Sequence, residues 1–454
     1  MSLFGTSGIR GPVGGTVTAE LALRVGRAVG RGVGPDATET DGNADDRRVV
    51  VGRDARDSGR ALADALAAGI REVGTDVVDV GRAATPTVAR AVGWADAIAG
   101  VAVTASHNPP ADNGLKPWGP SGRAFDPAAC ARVEGALGSG AGLVGADGVG
   151  DRRRREEWAT ERHVDALVAA ADVADPPRVA VDLGNGVGGV TVAALDRLGC
   201  RVETLNAQPD GTFPGRPSEP TADNCASLSA LVANGDADLG LAHDGDADRL
   251  RAVAGDGTFL SGDATLAILA GAAAAAGDRV AVPVDTSLAV ADYLAERGID
   301  VTYTPVGDVH VAAACAEGAA FGGEPSGAWI HPGEALCPDG PLAAVRLVAL
   351  AAERPLSDRL ADVPSYPIRR DSLDAPRKAA TMDRVRERVA AEHASGDVTT
   401  LDGVRVDAGD GWFLVRASGT EPVVRVTAEA RDPGRADELL ALARGYVEDA
   451  RGDD

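Results

Sequence analysis

The chain has 454 residues, 68 of them acidic against 45 basic, and a net charge of −23. That length exceeds one ordinary hydrophobic core and predicts about three or four domains, while the acidity excludes nucleic acid and anionic membrane as general partners. Only Lys116 and Lys378 are lysines, and an acidic surface poor in lysine and aromatics suits a halophilic habitat, where concentrated salt screens repulsion between carboxylates.

Taken in chain order, MSLFGTSGIRG lacks the charged-then-apolar pattern of a signal segment, and the small-residue run AILAGAAAAAG is too short to span a bilayer. A soluble cytoplasmic protein is expected. Cys130, Cys200, Cys225, Cys315 and Cys337 have no metal-ligand spacing, which predicts free, buried thiols in a reducing compartment. An apolar strand, a turn, an amphipathic helix closing on glycine and a second strand follow one another from Arg47, again from Arg178 and again from Arg279. Such βαβ units imply largely parallel sheets with right-handed crossovers. Glycine-rich segments near 138–151 and 255–263 have linker chemistry, and DRRRREEW at 151–158 reads as a solvated first helical turn. After Pro364 the pattern changes to strand, helix, short strands and a last helix from Ala436. The expected domains are 1–150, 151–255 and 256–365, all α/β, and 366–454, a smaller α+β domain.

Four polar loops interrupt this scaffold. TASHNPPADNGLKPW (104–118) follows an apolar strand, where α/β sheets expose reactive groups, and places Ser106, His107 and Asn108 ten residues before one of the two lysines, Lys116. AHDGDADR carries Asp244, Asp246 and Asp248 at alternating positions, a hard-oxygen set suited to Mg²⁺. An EF-hand is excluded, because Arg249 and Gly255 stand where that loop requires Gly and Glu. FGGEPSGAWIHP offers Glu324 and Ser326 among glycines, suited to vicinal sugar hydroxyls. VRASGTEPVVRV offers Arg416, Ser418, Thr420 and Arg425 around Gly419, donors suited to a phosphate dianion.

Two competing readings explain less. GNGVGG (184–189) with Glu203 matches a dinucleotide fingerprint, yet that reading leaves the serine, aspartate and terminal loops without a role. An aspartyl-phosphate phosphatase reading of LAHDGDADR puts Asp248 where Thr or Val is required and gives Ser106 no function.

In their order, LFGTSGIRG, TASHNP with NGLK, DGDADR, GGEPSG and RASGTEP resemble the α-D-phosphohexomutase family over nearly the whole chain, most closely its archaeal phosphoglucosamine mutase-like branch. The resemblance implies three related α/β/α domains and a smaller C-terminal domain around a central cleft. It implies that Ser106 carries a phosphoryl group beside Mg²⁺ held by Asp244, Asp246 and Asp248, and that phosphate passes between O6 and O1 of a hexose phosphate through a sugar 1,6-bisphosphate. By the same resemblance, Arg416, Ser418, Gly419, Thr420 and Arg425 hold the non-reacting phosphate. Glu324 and Ser326, with Gly307 and Asp308 of TPVGDVH, contact the sugar. Arg10, His107, Lys116 and Arg249 surround the transferring group, with Lys116 as general acid/base if positive neighbours lower its pKa. Ala328 departs from the pattern, since many relatives place histidine there; acid/base work then falls to Lys116 or to a residue of another loop such as His331, although His331 and His310 read first as ordinary loop histidines. Glucosamine 6-phosphate is the expected substrate, with mannose and glucose phosphates as alternatives and a non-catalytic sugar-phosphate binding protein as the reading from another class. A monomer or homodimer is expected.

Overall fold

The segments 48–53, 99–103, 178–182, 239–243 and 279–283 are apolar on both faces, the composition of strands covered by helices on each side, and each forms a strand of a parallel ladder. The computed structural model describes residues 3–5, 8–32, 47–138, 142–394, 396–418 and 422–452. The first sheet contains β1 (Ile9–Pro12), β2 (Arg48–Arg53), β3 (Asp76–Arg82), β4 (Ala99–Val103), β5 (Asp112–Trp118) and β6 (Arg152–Arg154) in the order β1-β5-β4-β2-β3-β6. Strands β4, β2, β3 and β6 are parallel, and β5 runs antiparallel between β4 and β1. Arg152–Arg154, expected in a helical turn, is instead this sheet's edge strand. Arg152 is fixed there by Asp64 and Asp79 at 2.7 and 2.8 Å, and charged edges discourage further strand pairing.

The second sheet holds β7 (Arg178–Asp182), β8 (Arg201–Leu205), β9 (Leu239–His243) and β10 (Leu250–Ala254), ordered β10-β9-β7-β8. The third holds β11 (Arg279–Pro283), β12 (Asp300–Thr304), β13 (Phe321–Gly323) and β14 (Trp329–Ile330), ordered β12-β11-β13-β14. In both, three strands are parallel and the last returns antiparallel. The fourth sheet is wholly antiparallel: β15 (Ile368–Asp374), β16 (Val398–Thr399), β17 (Val404–Asp407), β18 (Gly411–Ala417) and β19 (Val423–Ala430), ordered β15-β19-β18-β17-β16. Three α/β sheets followed by a smaller antiparallel α+β unit is the fold class the sequence predicts.

Apolar packing and buried charge join the domains. The second and third share one core, the first and fourth have their own, and a further cluster packs the first against Ala159 of the second and Cys337 of the third. Arg90 of the first domain donates to Asp339 of the third at 2.7 Å, and His163 of the second lies 3.4 Å from the same carboxylate; all three are buried. The fourth domain docks on the third through Glu429, which accepts from Ser287 Oγ at 2.5 Å and from the Leu288 N–H at 2.6 Å. The five cysteines are buried and free, and among the described residues no helix is long and apolar enough to cross a membrane.

Candidate active site

Val103 ends β4, and the chain turns immediately into the serine loop. Ser106 has φ +50°, a left-handed backbone uncommon for a residue with a side chain, so the surroundings must hold it. The Ser106 N–H donates to Thr104 Oγ1 at 2.8 Å, and its carbonyl accepts from Arg56 at 2.9 Å and from the Ser218 hydroxyl at 3.0 Å. Arg56 is buried, pairs with Asp54 at 3.0 Å, and also donates to the carbonyls of Asn108, Pro109 and Asp112. One guanidinium thus organises the whole loop.

So held, the Ser106 hydroxyl donates to Asp244 Oδ2 at 2.6 Å. Asp244, Asp246 and Asp248 follow β9 directly, and their side chains converge so that one carboxylate oxygen of each lies within 4.8 Å of the others. All three are buried. Asp246 accepts from Thr85 at 2.6 Å and Thr104 at 3.1 Å, but Asp246 Oδ1 and Asp248 Oδ1 have no hydrogen-bond partner among the described residues. Burial raises the Asp244 and Asp248 carboxyls. It works the same way on Asp246, where the Thr85 hydroxyl, Lys116 and Arg10 outweigh it and hold the carboxyl low. Crowded carboxylates with unpartnered buried oxygens are costly unless a cation completes them. The donor set therefore fits a hard divalent ion.

Cations ring this cluster. Lys116 on β5 is buried and lies 2.8 Å from Asp308 and 3.4 Å from Asp248. The expectation that its neighbours lower its pKa is not met. Burial does work in that direction, but Asp308 and Asp248 outweigh it and Arg10, so the ammonium is held above its usual value. His107 Nδ1 is 3.3 Å from Ser106 Oγ; burial, then Arg249 and Arg10, push its pKa down to about 3, leaving the ring neutral. Arg249 donates its backbone N–H to Asp244 at 3.3 Å. Arg10 lies on β1, its Nε buried and without a partner among the described residues.

The GGEPSG loop, with Gly307 and Asp308, joins the cluster from the third domain. The Gly307 N–H donates to Glu324 at 2.8 Å, and Asp308 opens the helix Asp308–Ala316 beside Lys116. Burial, then Asp308, raise the Glu324 carboxyl to about 7. Ser326 is exposed at the rim. Ala328, the departure from pattern, forms a backbone bridge with Arg249, and the Trp329 indole donates to the Leu250 carbonyl at 3.0 Å. His331 is not in the site: it is buried edge-on against Phe321, and burial lowers its pKa to about 4.

The terminal loop is described as far as Ser418 and again from Pro422. Arg416 pairs with Asp402 at 2.9 Å, and Asp402 accepts from the Val306 N–H at 3.3 Å, next to Gly307. Ser418 is buried and its carbonyl accepts from Lys378 at 2.5 Å; Arg425 lies opposite Arg416 across β18 and β19. Gly419 and Thr420 lie outside the described residues. Sequence reasoning missed Asp54, Arg56, Thr85, Ser218 and Lys378. For Lys378 a signal existed, since lysine rarity had already singled out Lys116. The glycines of GNGVGG have a structural purpose: a Cβ at Gly186 would lie 2.6 Å from the Gly245 carbonyl, so this turn packs under the aspartate loop, and Glu203 is exposed.

Repeated α/β domains whose loops gather a hydroxyl, three hard carboxylates and a ring of cations define an enzyme of phosphoryl transfer. Residues 1–140, 161–257, 261–366 and 373–444 match, in turn, the phosphoglucomutase/phosphomannomutase alpha/beta/alpha domains I, II and III and the C-terminal domain of that family. The chain is 44% identical to a probable phosphoglucosamine mutase of Methanopyrus kandleri, covering 99% of both chains. It is 42% identical to one of Methanothermobacter thermautotrophicus, covering 99% of this chain and 98% of that one. A crystal structure of a phosphoglucomutase/phosphomannomutase family protein from Burkholderia thailandensis is similar with a TM-score of 0.87, at 29% identity over 99% of this chain and 97% of that one. The chain belongs to the α-D-phosphohexomutase (phosphoglucomutase/phosphomannomutase) family, in its archaeal branch, and is a phosphosugar mutase.

Proposed function

We propose that this chain interconverts glucosamine 6-phosphate and glucosamine 1-phosphate, with Ser106 as the phosphoryl carrier. The observation that carries this reading is the Ser106 hydroxyl aimed at Asp244 at 2.6 Å, beside a triad with two buried oxygens unpartnered among the described residues. The names of the archaeal relatives support the sugar. Asp244, Asp246 and Asp248 would hold Mg²⁺, which when bound supplies charge neutralisation to the phosphoryl oxygens.

In the first transfer the bond from phosphorus to Ser106 Oγ breaks as one to the free O1 or O6 of the sugar forms, and the proton lost by the sugar hydroxyl balances the one gained at Ser106; in the second the same exchange runs in reverse at the other sugar oxygen, re-forming the phosphoserine. Between the two, the sugar 1,6-bisphosphate turns over, so that it returns its other phosphate. Lys116, Arg249 and Arg10 stabilise the moving charge, Lys116 as a cation and proton donor. Glu324, Ser326, Gly307 and Asp308 contact hydroxyls common to both poses, and Arg416, Ser418, Gly419, Thr420 and Arg425 hold the idle phosphate. The acidic, lysine-poor composition supports function in concentrated salt, and the buried free thiols support a reducing cytoplasm.

The test is intact mass with peptide mapping after incubation with glucose 1,6-bisphosphate and Mg²⁺, in salt where the protein is folded. One phosphate on Ser106, lost in Ser106→Ala, is expected, together with faster turnover of glucosamine 6-phosphate than of the glucose or mannose ester. Full mutase activity in Ser106→Ala would refute the carrier role.

A further inference from the structure

The serine loop and the aspartate loop belong to different domains; Thr85 and Thr104 of the first already donate to Asp246 of the second, and a buried arginine organises each loop from its own side. Arg56, anchored by Asp54, holds the first. The second domain repeats the device: Arg216 is buried, pairs with Asp182 at 2.7 Å, and donates to the His243 carbonyl at 2.6 Å, where the aspartate loop begins. Neither arginine sets the distance between the loops. Two residues beyond Arg216, Ser218 is buried, accepts from the Gly245 N–H at 3.0 Å and donates to the Ser106 carbonyl at 3.0 Å. Its hydroxyl has one proton and two lone pairs, and both bonds use them in the only sense the two backbone groups allow.

The loops meet so closely here that a Cβ at Gly245 would lie 2.8 Å from Ser218 Oγ and 3.1 Å from the Ser106 carbonyl. We infer that Ser218 is a positioning residue: its hydroxyl, bonded to the main chain of both loops, sets the register of Ser106 against the three aspartates. This rests on the reading of Ser106 as phosphoryl carrier. In-line transfer needs that register, because a displacement of about 1 Å at a reacting centre can cost about 100-fold in rate. Ser218 would touch neither sugar nor phosphate, so its loss should act on the chemical step and leave substrate binding alone.

The experiment compares wild type, Ser218→Ala, Ser218→Thr and Gly245→Ala. Loading of Ser106 from glucose 1,6-bisphosphate with Mg²⁺ is followed by mass, kcat and KM are measured per folded enzyme, and amide exchange is mapped in metal-free protein. Ser218→Ala is expected to load at least about 10-fold more slowly, with KM held within about two-fold because ground-state binding is untouched. Faster exchange should be confined to peptides covering 104–110 and 240–250. Ser218→Thr, which keeps the hydroxyl, should restore most of the loading rate. Gly245→Ala, which keeps the serine but wedges the loops apart, should reproduce the loading defect and carries the test if Ser218→Ala does not fold. A Ser218→Ala enzyme that loads and turns over like wild type would overturn the inference alone. A wild-type enzyme that takes no phosphate on Ser106 would overturn the functional reading and the inference with it.

Discussion

Replacing Arg56 by methionine removes the group on which the serine loop is built. Its guanidinium serves the Asp54 carboxylate and the carbonyls of Ser106, Asn108, Pro109 and Asp112. Ser106 keeps the Ser218 hydroxyl as a donor, and the carbonyls of residues 108, 109 and 112 lie near enough to the surface to take up water. Asp54, 1% exposed, has no such recourse. Stranding a buried charge costs about 3–5 kcal/mol, and the imperfectly rehydrated carbonyls add about 1 kcal/mol. Arg56→Met should therefore destabilise the first domain by about 4–6 kcal/mol. The loss should also depend on pH. Burial, opposed by Arg56, already raises the Asp54 carboxyl to about 6, and removing Arg56 raises it further. A carboxyl titrating above its unfolded value binds more protons folded than unfolded, so it adds stability as pH falls through that window. The deficit should be largest near pH 8 and shrink toward pH 5. Amide exchange of β2, β4 and β5 peptides across a urea series, in chelator, isolates this domain. A deficit below about 1 kcal/mol, the range of ordinary surface substitutions, or one indifferent to pH would refute the reasoning.

Asp339→Ala should loosen the joint of three domains by about 3–5 kcal/mol, since it leaves Arg90 buried without its partner and removes the cap on the Leu342 N–H. Burial works to raise the Asp339 carboxyl, but Arg90 and His163 outweigh it and hold it low; its contribution is therefore fully present above about pH 4, the unfolded value, and lost only as pH falls on through the folded one. The gap between wild type and variant should then be full at pH 7 and only begin to narrow at pH 3, as unfolding at the two pH values would show. Gly186→Ala should displace the aspartate loop, because the new Cβ would meet the Gly245 and Asp244 carbonyls at 2.6 and 2.9 Å; Mn²⁺ titration should then show weakened binding, and unchanged affinity would contradict it. Glu429→Ala should free the fourth domain by removing acceptors from Ser287, Leu288 and Trp412, seen as faster proteolysis near 364–372 without loss of the first three domains.

Much of this was legible in the chain because its signals are local. The βαβ periodicity is carried within thirty or so residues, and each reactive loop directly follows an apolar strand. What was not legible depends on distance. Ser106 meets Arg56 across 50 residues and Ser218 across 112, and nothing in a single sequence couples those positions. The same holds for Lys116: its local neighbours gave no sign of Asp308, 192 residues away, and that carboxylate reverses the sign of its expected pKa shift. The arginines at 152–154 misled because charge density on an edge strand and on a helical turn look alike.

The three α/β repeats place their chemistry at one topological position. In each, a parallel strand returns as an antiparallel neighbour, and the connection is the loop that matters: 104–111 between β4 and β5, 244–249 between β9 and β10, and 324–328 between β13 and β14. These turns project from the carboxyl ends of the parallel strands, where α/β sheets bind ligands. Their contents differ, one offering a hydroxyl, one carboxylates and one a glycine-flanked carboxylate. Contacts between repeats then assemble what no repeat holds alone: Ser106 to Asp244, Lys116 to Asp248 and Asp308, and Arg249 bridged to Ala328. A side chain at 328 thus stands on a residue whose backbone is committed to Arg249. This gives the departure from histidine a geometric setting, and among the side chains of 324–328 it leaves Glu324 and Ser326 as the polar ones.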